Sequence, residues 1–132
     1  RLADLRAMPS TEQEKELTRW LCARAVDTGI RRHAGVVTDL YTPSGKKQIV
    51  KGKDLTAIRW VVGTGGALTR IDGGETILRS ICSGPGKYLL PPPEAHILMD
   101  RDYRFSALGT LAQAYPEDVK ATFRAWVEKV YD

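Results

Sequence analysis

The chain has 132 residues, of which 42% are hydrophobic and 27% are charged, and its formal net charge is +4. This length suits one domain with one core, and the composition is ordinary for a globular protein. No apolar run is long enough to cross a bilayer and no segment resembles a signal peptide, so we expect a cytoplasmic protein without a membrane partner. The positive charge permits nucleic-acid binding, but the basic residues have local explanations, and this partner stays a minor alternative.

The first predicted element is a long helix over residues 11–34. Ser10 and Thr11 are favourable N-caps, and Gln13 and Glu14 each follow one of them by three residues, as a capping box requires. Gly35 offers a left-handed stop behind the helix. Apolar residues recur at helical spacing, so we expect one face of this helix to be buried. They are Leu17, Trp20, Leu21, Ala25, Val26 and Ile30.

A β-hairpin is predicted next, with strands over residues 36–41 and 48–50. The segment between the strands contains Pro43, Ser44 and Gly45, which are typical turn residues. Lysines in this region would keep an exposed edge strand soluble. They are Lys46, Lys47, Lys51 and Lys53. Residues 58–62, which are apolar except for Arg59, are then predicted as a strand covered on both faces.

The second half of the chain alternates between helices and one further strand. A helix over residues 74–82 leads into a loop over residues 83–94, because four prolines there disfavour regular structure. They are Pro85, Pro91, Pro92 and Pro93. Residues 96–99 are predicted as a buried strand, and residues 103–114 and 117–131 as two final helices. This alternation of buried strands and helices predicts an α/β fold.

The strand over residues 58–62 ends in a glycine turn, which we define as Gly63, Thr64, Gly65 and Gly66. Ligands of open α/β sheets bind at the carboxyl ends of strands. Glycines there allow positive φ and let a phosphate or ribose approach the backbone without meeting a Cβ. Thr64 adds a hydroxyl. Taken alone, the pattern leaves a structural turn and a nucleotide contact both open, because glycine turns are common. It is not a P-loop, because no lysine follows the last glycine. It also fails the Gly-x-Gly-x-x-Gly pattern, because Leu68 stands where the third glycine belongs.

Several blocks of the chain, in order, resemble the accessory protein family of glutamate mutase, often labelled MutL or GlmL, a label unrelated in this use to mismatch repair. The longest block is GKDLTAIRWVVGTGGALTR, residues 52–70, which includes the glycine turn. The shorter blocks are residues 32–35, 41–45, 89–91, 99–103 and 106–109. Together the similarity runs from about residue 11 to residue 115.

The resemblance implies a fold related to actin, Hsp70 and the sugar kinases, in which two α/β lobes close over Mg-ATP. It implies that this chain is part of the second lobe, a small sheet with a β-hairpin and flanking helices. The glycine turn would contact the adenosine side of ATP or ADP, and Gly74, with Gly73 before it, would pass close to the purine. We therefore expect Gly63, Thr64, Gly65, Gly66 and Gly74 to bind nucleotide.

The resemblance also implies the context of the chain. We expect a single domain over residues 1–132, excised from the C-terminal part of a larger ATPase, because the chain starts at Arg1 without a methionine or a phosphate loop. The missing N-terminal lobe would complete the cleft, so the chain alone should be inactive. The implied role is that of a reactivating chaperone for an adenosylcobalamin-dependent aminomutase, whose subunits would be partners. No cobalamin motif is present, and we expect no direct cobalamin contact.

Other residues give weaker indications. Asp102 is predicted to cap the helix that begins near Tyr103, whereas Asp100 stays open between helix capping and a contact with a metal-bound phosphate. His33 and His96 have no partners at ligand spacing, so we expect no metal site, and Cys22 has no nearby histidine in the sequence, so we expect no catalytic residue. Cys22 and Cys82 are expected to be reduced core thiols. The alternative function is a non-enzymatic interaction module, in which the glycine turn is structural and the basic hairpin docks a protein partner.

Overall fold

A computed structural model describes residues 9–84 and 86–131 of the chain. Arg1 and Pro85, which entered the predictions above, lie outside the described residues. The elements in chain order are α1 (Glu12–His33), β1 (Val36–Thr42), β2 (Gly45–Lys51), β3 (Trp60–Gly63), α2 (Gly66–Thr69), α3 (Gly74–Ser80), β4 (His96–Met99), α4 (Arg104–Leu111) and α5 (Pro116–Tyr131). This order confirms the predicted α/β class. The prediction lacked only the four-residue helix α2.

Helix α1 begins as its sequence predicts. Thr11 is the N-cap, and its hydroxyl accepts a 3.2 Å hydrogen bond from the Glu14 backbone N–H. The Glu14 carboxylate accepts one in return from the Thr11 N–H at 3.1 Å, which completes the capping box. The predicted left-handed stop at Gly35 is wrong, because the helix ends at an extended Ala34. The packing favours glycine at position 35 instead, since a Cβ there would lie only 3.0 Å from the Lys53 carbonyl oxygen.

The predicted buried face of α1 is also wrong. The helix, which is described over its whole length, contains no buried residue, and the Trp20 side chain is 59% exposed. Cys22, Ala23 and Val26 are half-buried against the core, so the helix packs through only a short stretch of its apolar face. Burial raises the pKa of both thiols, Cys22 and Cys82, and both cysteines are free, as expected.

The four strands form two separate two-stranded sheets. Strands β1 and β2 are antiparallel, with Val36 opposite Lys51 and Thr42 opposite Gly45. Strands β3 and β4 are parallel, with Trp60 opposite His96. Strand β3 is not covered on both faces as predicted, because its first residue, Trp60, stays 38% exposed while stacking on His96 at 4.7 Å between ring centroids. Trp60 stays partly exposed because this sheet is small: in the described chain β3 has β4 as its one neighbouring strand.

The core lies beside the parallel sheet. Buried Leu68 from α2, Ile77 and Leu78 from α3, and Ile97 from β4 form one apolar cluster. The two C-terminal helices contact each other through aromatic rings, with the Phe105 and Phe123 centroids 6.3 Å apart. No helix in the described part of the chain is long and apolar enough to span a membrane.

Candidate functional site

The glycine turn and Asp100 lie side by side at the carboxyl ends of the parallel strands. Gly63 and Met99, the last residues of β3 and β4, are opposite each other in the register. The backbone N–H of Asp100 donates a 2.8 Å hydrogen bond to the Gly63 carbonyl. The two chain segments that leave this small sheet therefore start from one place, which is where α/β sheets bind their ligands.

Two of the predicted site glycines are buried in internal packing. A Cβ at Gly63 would lie 2.5 Å from the Leu78 Cδ1 atom and 2.9 Å from the Met99 sulfur. A Cβ at Gly74 would collide with the carbonyl oxygen of Leu68. The fold requires glycine at position 74, where the obstacle is backbone, and disfavours a larger residue at position 63, where the ends of the Leu78 and Met99 side chains would have to shift, whether or not a ligand is bound. A nucleotide contact by Gly63 or Gly74 stays a prediction.

The other two glycines are open. Gly65 has a φ of +92°, and no atom of the residues the structure describes lies within 4 Å of its ideal Cβ position. At Gly66 the nearest atom is the Tyr103 hydroxyl, 3.4 Å from the ideal Cβ position. The backbone of this half of the turn is therefore accessible from outside without a side chain in the way. Thr64, next to them, is exposed.

Asp100 holds the neighbouring helix in place. Its carboxylate is fully buried and accepts hydrogen bonds from the backbone N–H groups of Arg104 at 2.7 Å and Phe105 at 3.0 Å. The Thr64 hydroxyl donates a third bond at 3.5 Å. Asp100 thus accepts the hydrogen bonds of the first backbone N–H groups of α4. The prediction that Asp102 caps this helix is wrong. Asp102 instead forms an exposed ion pair with Arg104 at 3.1 Å.

Tyr103 is the residue of this region that sequence reasoning did not assign. It precedes α4 with a φ of +56°, in the left-handed region. Its ring lies beside the glycine turn, and the Arg70 guanidinium carbon is 5.8 Å from the ring centroid. The available signal was its place in residues 99–103, one of the blocks that resemble the accessory protein family.

A cavity of about 300 Å³ lies beside this region, and Trp126 and Met99 contribute to its walls. Three charged residues also line it, namely Glu75, Arg101 and Asp102. Over the described ranges, no three His, Cys, Asp or Glu side chains are grouped so that they could hold a metal ion.

Comparisons with known proteins identify the family to which the chain is related. The model of the family described as MutL protein matches residues 1–127. Protein MutL of Clostridium tetanomorphum is 32% identical over 133 aligned residues, which cover 98% of this chain and 28% of that protein. The chain therefore spans little more than a quarter of the length of this relative. No solved structure matches the chain. Because the family match extends over nearly all of its residues, the chain belongs to the MutL protein family, as the blocks around its glycine turn had indicated.

Proposed function

We propose that the chain forms part of the nucleotide-binding second lobe of an actin-like ATPase. In this proposal the whole protein is an accessory, reactivating chaperone for an adenosylcobalamin-dependent aminomutase such as glutamate mutase. The observation that carries the proposal is the open half of the glycine turn, Gly65 and Gly66, at the carboxyl ends of two parallel strands in a MutL family chain.

The physical support lies in the free approach to the backbone. A nucleotide that passes a turn must come within van der Waals distance of main-chain atoms, and a Cβ would hold it away. Gly65 and Gly66 have no Cβ, and the space beside Gly65 is empty of protein atoms from the described residues. The Thr64 hydroxyl beside them donates its proton to Asp100 and keeps acceptor capacity for a ribose hydroxyl.

Only one wall of the cleft is assigned to this chain. The chain covers 28% of its relative, and the remaining part of a longer protein would supply the opposite lobe, with the phosphate loop and the residues that hold Mg²⁺. ATP binding and hydrolysis would move the two lobes relative to each other, and that movement would let damaged cobalamin be exchanged on the mutase. In this scheme the chain contacts nucleotide and mutase subunits but not cobalamin.

Calorimetric titration of MgADP tests the proposal. The titration is made into the full-length protein and into the 132-residue chain, with the folding of each checked by circular dichroism. We expect saturable binding to the full-length protein and weak or no binding to the shorter chain, because one wall alone leaves most of the nucleotide in water. If neither folded protein binds MgADP, the ATPase proposal is wrong.

The hairpin of β1 and β2 favours the interaction module as the second candidate. Every residue of β2 is exposed, and Leu40 and Ile49 are each 46% exposed. Lys47 and Lys51 lie on the same face of the hairpin as these two apolar residues, since Leu40 is opposite Lys47 and residues two apart share a face. The base of the hairpin is held by other segments, because the Val37 N–H donates a 2.9 Å hydrogen bond to the Lys87 carbonyl and Val36 pairs with Tyr88, whereas this face of β2 stays exposed. An acidic protein surface would cover this basic, apolar face.

A double charge reversal tests this second candidate. Lys46 is less suitable as a probe, because it pairs with Asp39 at 2.8 Å on the opposite face. Lys47→Glu with Lys51→Glu should weaken binding of purified mutase subunits and leave MgADP affinity unchanged. Arg124→Glu with Lys129→Glu, the same change of charge at two exposed positions of α5, is the matched control. Equal binding of all three proteins would remove the hairpin as the docking surface.

A further inference from the structure

Tyr103 combines an unusual backbone conformation with a position beside the glycine turn. Within the described part of the chain it is the one residue other than glycine with a positive φ, +56°. Bulky residues rarely adopt this conformation, and where they do, the surrounding structure imposes it. The cause here is nearby: the buried Asp100 carboxylate binds the N–H groups of Arg104 and Phe105, and this fixes the turn that Tyr103 must make.

The turn itself does not call for a tyrosine. Glycine or asparagine adopts this conformation more readily, and the Tyr103 side chain makes no capping hydrogen bond to α4. The residue is also not part of the core, because it is 42% exposed. The ring therefore has a position that neither the backbone nor the packing of the chain requires, and its surroundings indicate its use.

The ring borders the open half of the glycine turn. Its hydroxyl lies 3.4 Å from where a Cβ of Gly66 would be. The Arg70 guanidinium lies over the ring, 5.8 Å from the centroid, within the range of a cation–π contact. Tyr103 is thus a flat aromatic surface, supported by a cation and still exposed to solvent, next to the backbone that a nucleotide would pass.

We propose that Tyr103, supported by Arg70, contacts the heteroaromatic base of the nucleotide that binds at Gly65 and Gly66. This inference rests on the proposed nucleotide-binding function and adds to it the residue that holds the base. Aromatic side chains stack on nucleobases, and a stack of this kind contributes binding free energy through ring overlap. The larger purine ring system overlaps more than a pyrimidine does, so the site should favour a purine nucleotide over a pyrimidine nucleotide.

The test uses variants of the full-length protein that separate the ring from the backbone. Tyr103→Gly removes the ring and adopts positive φ without strain, so it preserves the turn. Tyr103→Phe keeps the ring and removes the hydroxyl. Each folded variant is titrated with MgADP and, as a probe without a base, with magnesium pyrophosphate.

Loss of a base stack predicts that Tyr103→Gly raises the Kd for MgADP by about 5-fold to about 150-fold. Tyr103→Phe should bind MgADP like the wild type, and all three proteins should have the same affinity for pyrophosphate. A purine preference should appear as tighter binding of MgADP than of MgUDP by the wild type, and this preference should shrink in Tyr103→Gly.

Three results overturn the inference and can be told apart. If Tyr103→Gly binds MgADP as tightly as the wild type does, the tyrosine is structural. If its affinities for MgADP and for pyrophosphate fall together, the substitution acts through the glycine turn and not through a base. If Tyr103→Phe loses as much as Tyr103→Gly, the hydroxyl and not the ring makes the contact. A wild-type protein that binds no MgADP at all rejects the proposed function itself.

Discussion

Substituting Gly65 by valine is the sharpest test of the glycine turn. Gly65 has φ +92° and ψ +144°, a combination that β-branched residues avoid, so the variant should lose stability by roughly 1–3 kcal/mol through backbone strain. The valine side chain would also occupy the space that is empty in the described chain. If the nucleotide passes there, affinity for MgADP should fall at least about 100-fold, equivalent to about 2.8 kcal/mol.

Gly45 provides the matched control for this substitution. It lies in the hairpin turn with φ +114°, and its ideal Cβ position also has no atom of the described residues within 4 Å. Gly45→Val therefore introduces backbone strain at another positive-φ glycine, in the hairpin and outside the glycine turn. The assay is calorimetric titration of MgADP into both full-length variants, with chemical denaturation to measure the free energy of unfolding.

The two variants together separate the effect of occupying the turn from the effect of backbone strain. Equal losses of stability, with loss of MgADP affinity only in Gly65→Val, support a nucleotide at the turn. A folded Gly65→Val protein with normal affinity would refute the site. Comparable loss of affinity in Gly45→Val would show that strain in the domain, and not occupation of the turn, governs binding.

Three further predictions concern stability and reactivity. Asp100→Ala leaves the first N–H groups of α4 without their buried acceptor, and should lower the free energy of unfolding by about 1–3 kcal/mol in urea denaturation. Asp102→Ala breaks only an exposed ion pair and should change this free energy by less than about 1 kcal/mol. Equal effects of the two substitutions would contradict the assignment of Asp100 as the cap. Gly74→Ala should prevent normal folding, measured by circular dichroism, because its Cβ collides with a backbone carbonyl that cannot swing aside; a stable variant would disprove this packing. Burial raises the pKa of the Cys22 and Cys82 thiols, so at pH 8 both should react with iodoacetamide more slowly than free cysteine does, and rates equal to that of the free amino acid would contradict it.

Elements with a local signal could be predicted from the sequence. The capping box at Thr11 depends on residues within one turn of helix, and the hairpin depends on a short turn between two β-rich runs, so both form as expected. Strand β4 matches its predicted bounds. Helix α2 could not be predicted, because four residues that start at a glycine carry no periodic pattern.

Features that depend on distant parts of the chain were the ones predicted wrongly or not at all. Periodicity places apolar residues on one face of α1 but does not say what covers that face, and Trp20 stays exposed. The choice between Asp100 and Asp102 as a cap depends on how the chain turns after β4, where Tyr103 has a positive φ. The packing role of Gly63 likewise depends on side chains from α3 and β4. None of these relations is visible as spacing along the sequence.

The buried Asp100 side chain connects the glycine turn to helix α4, so these two parts of the structure can be coupled. It joins the Thr64 hydroxyl, in the glycine turn, to the first N–H groups of α4. A ligand that binds the Thr64 hydroxyl in its place would remove the longest of the three hydrogen bonds to the fully buried Asp100 carboxyl group. By thermodynamic linkage, occupancy of the turn and the free energy that anchors α4 must then influence each other in both directions. In the proposed nucleotide-bound state, this one acidic side chain would connect the glycine turn to the start of α4.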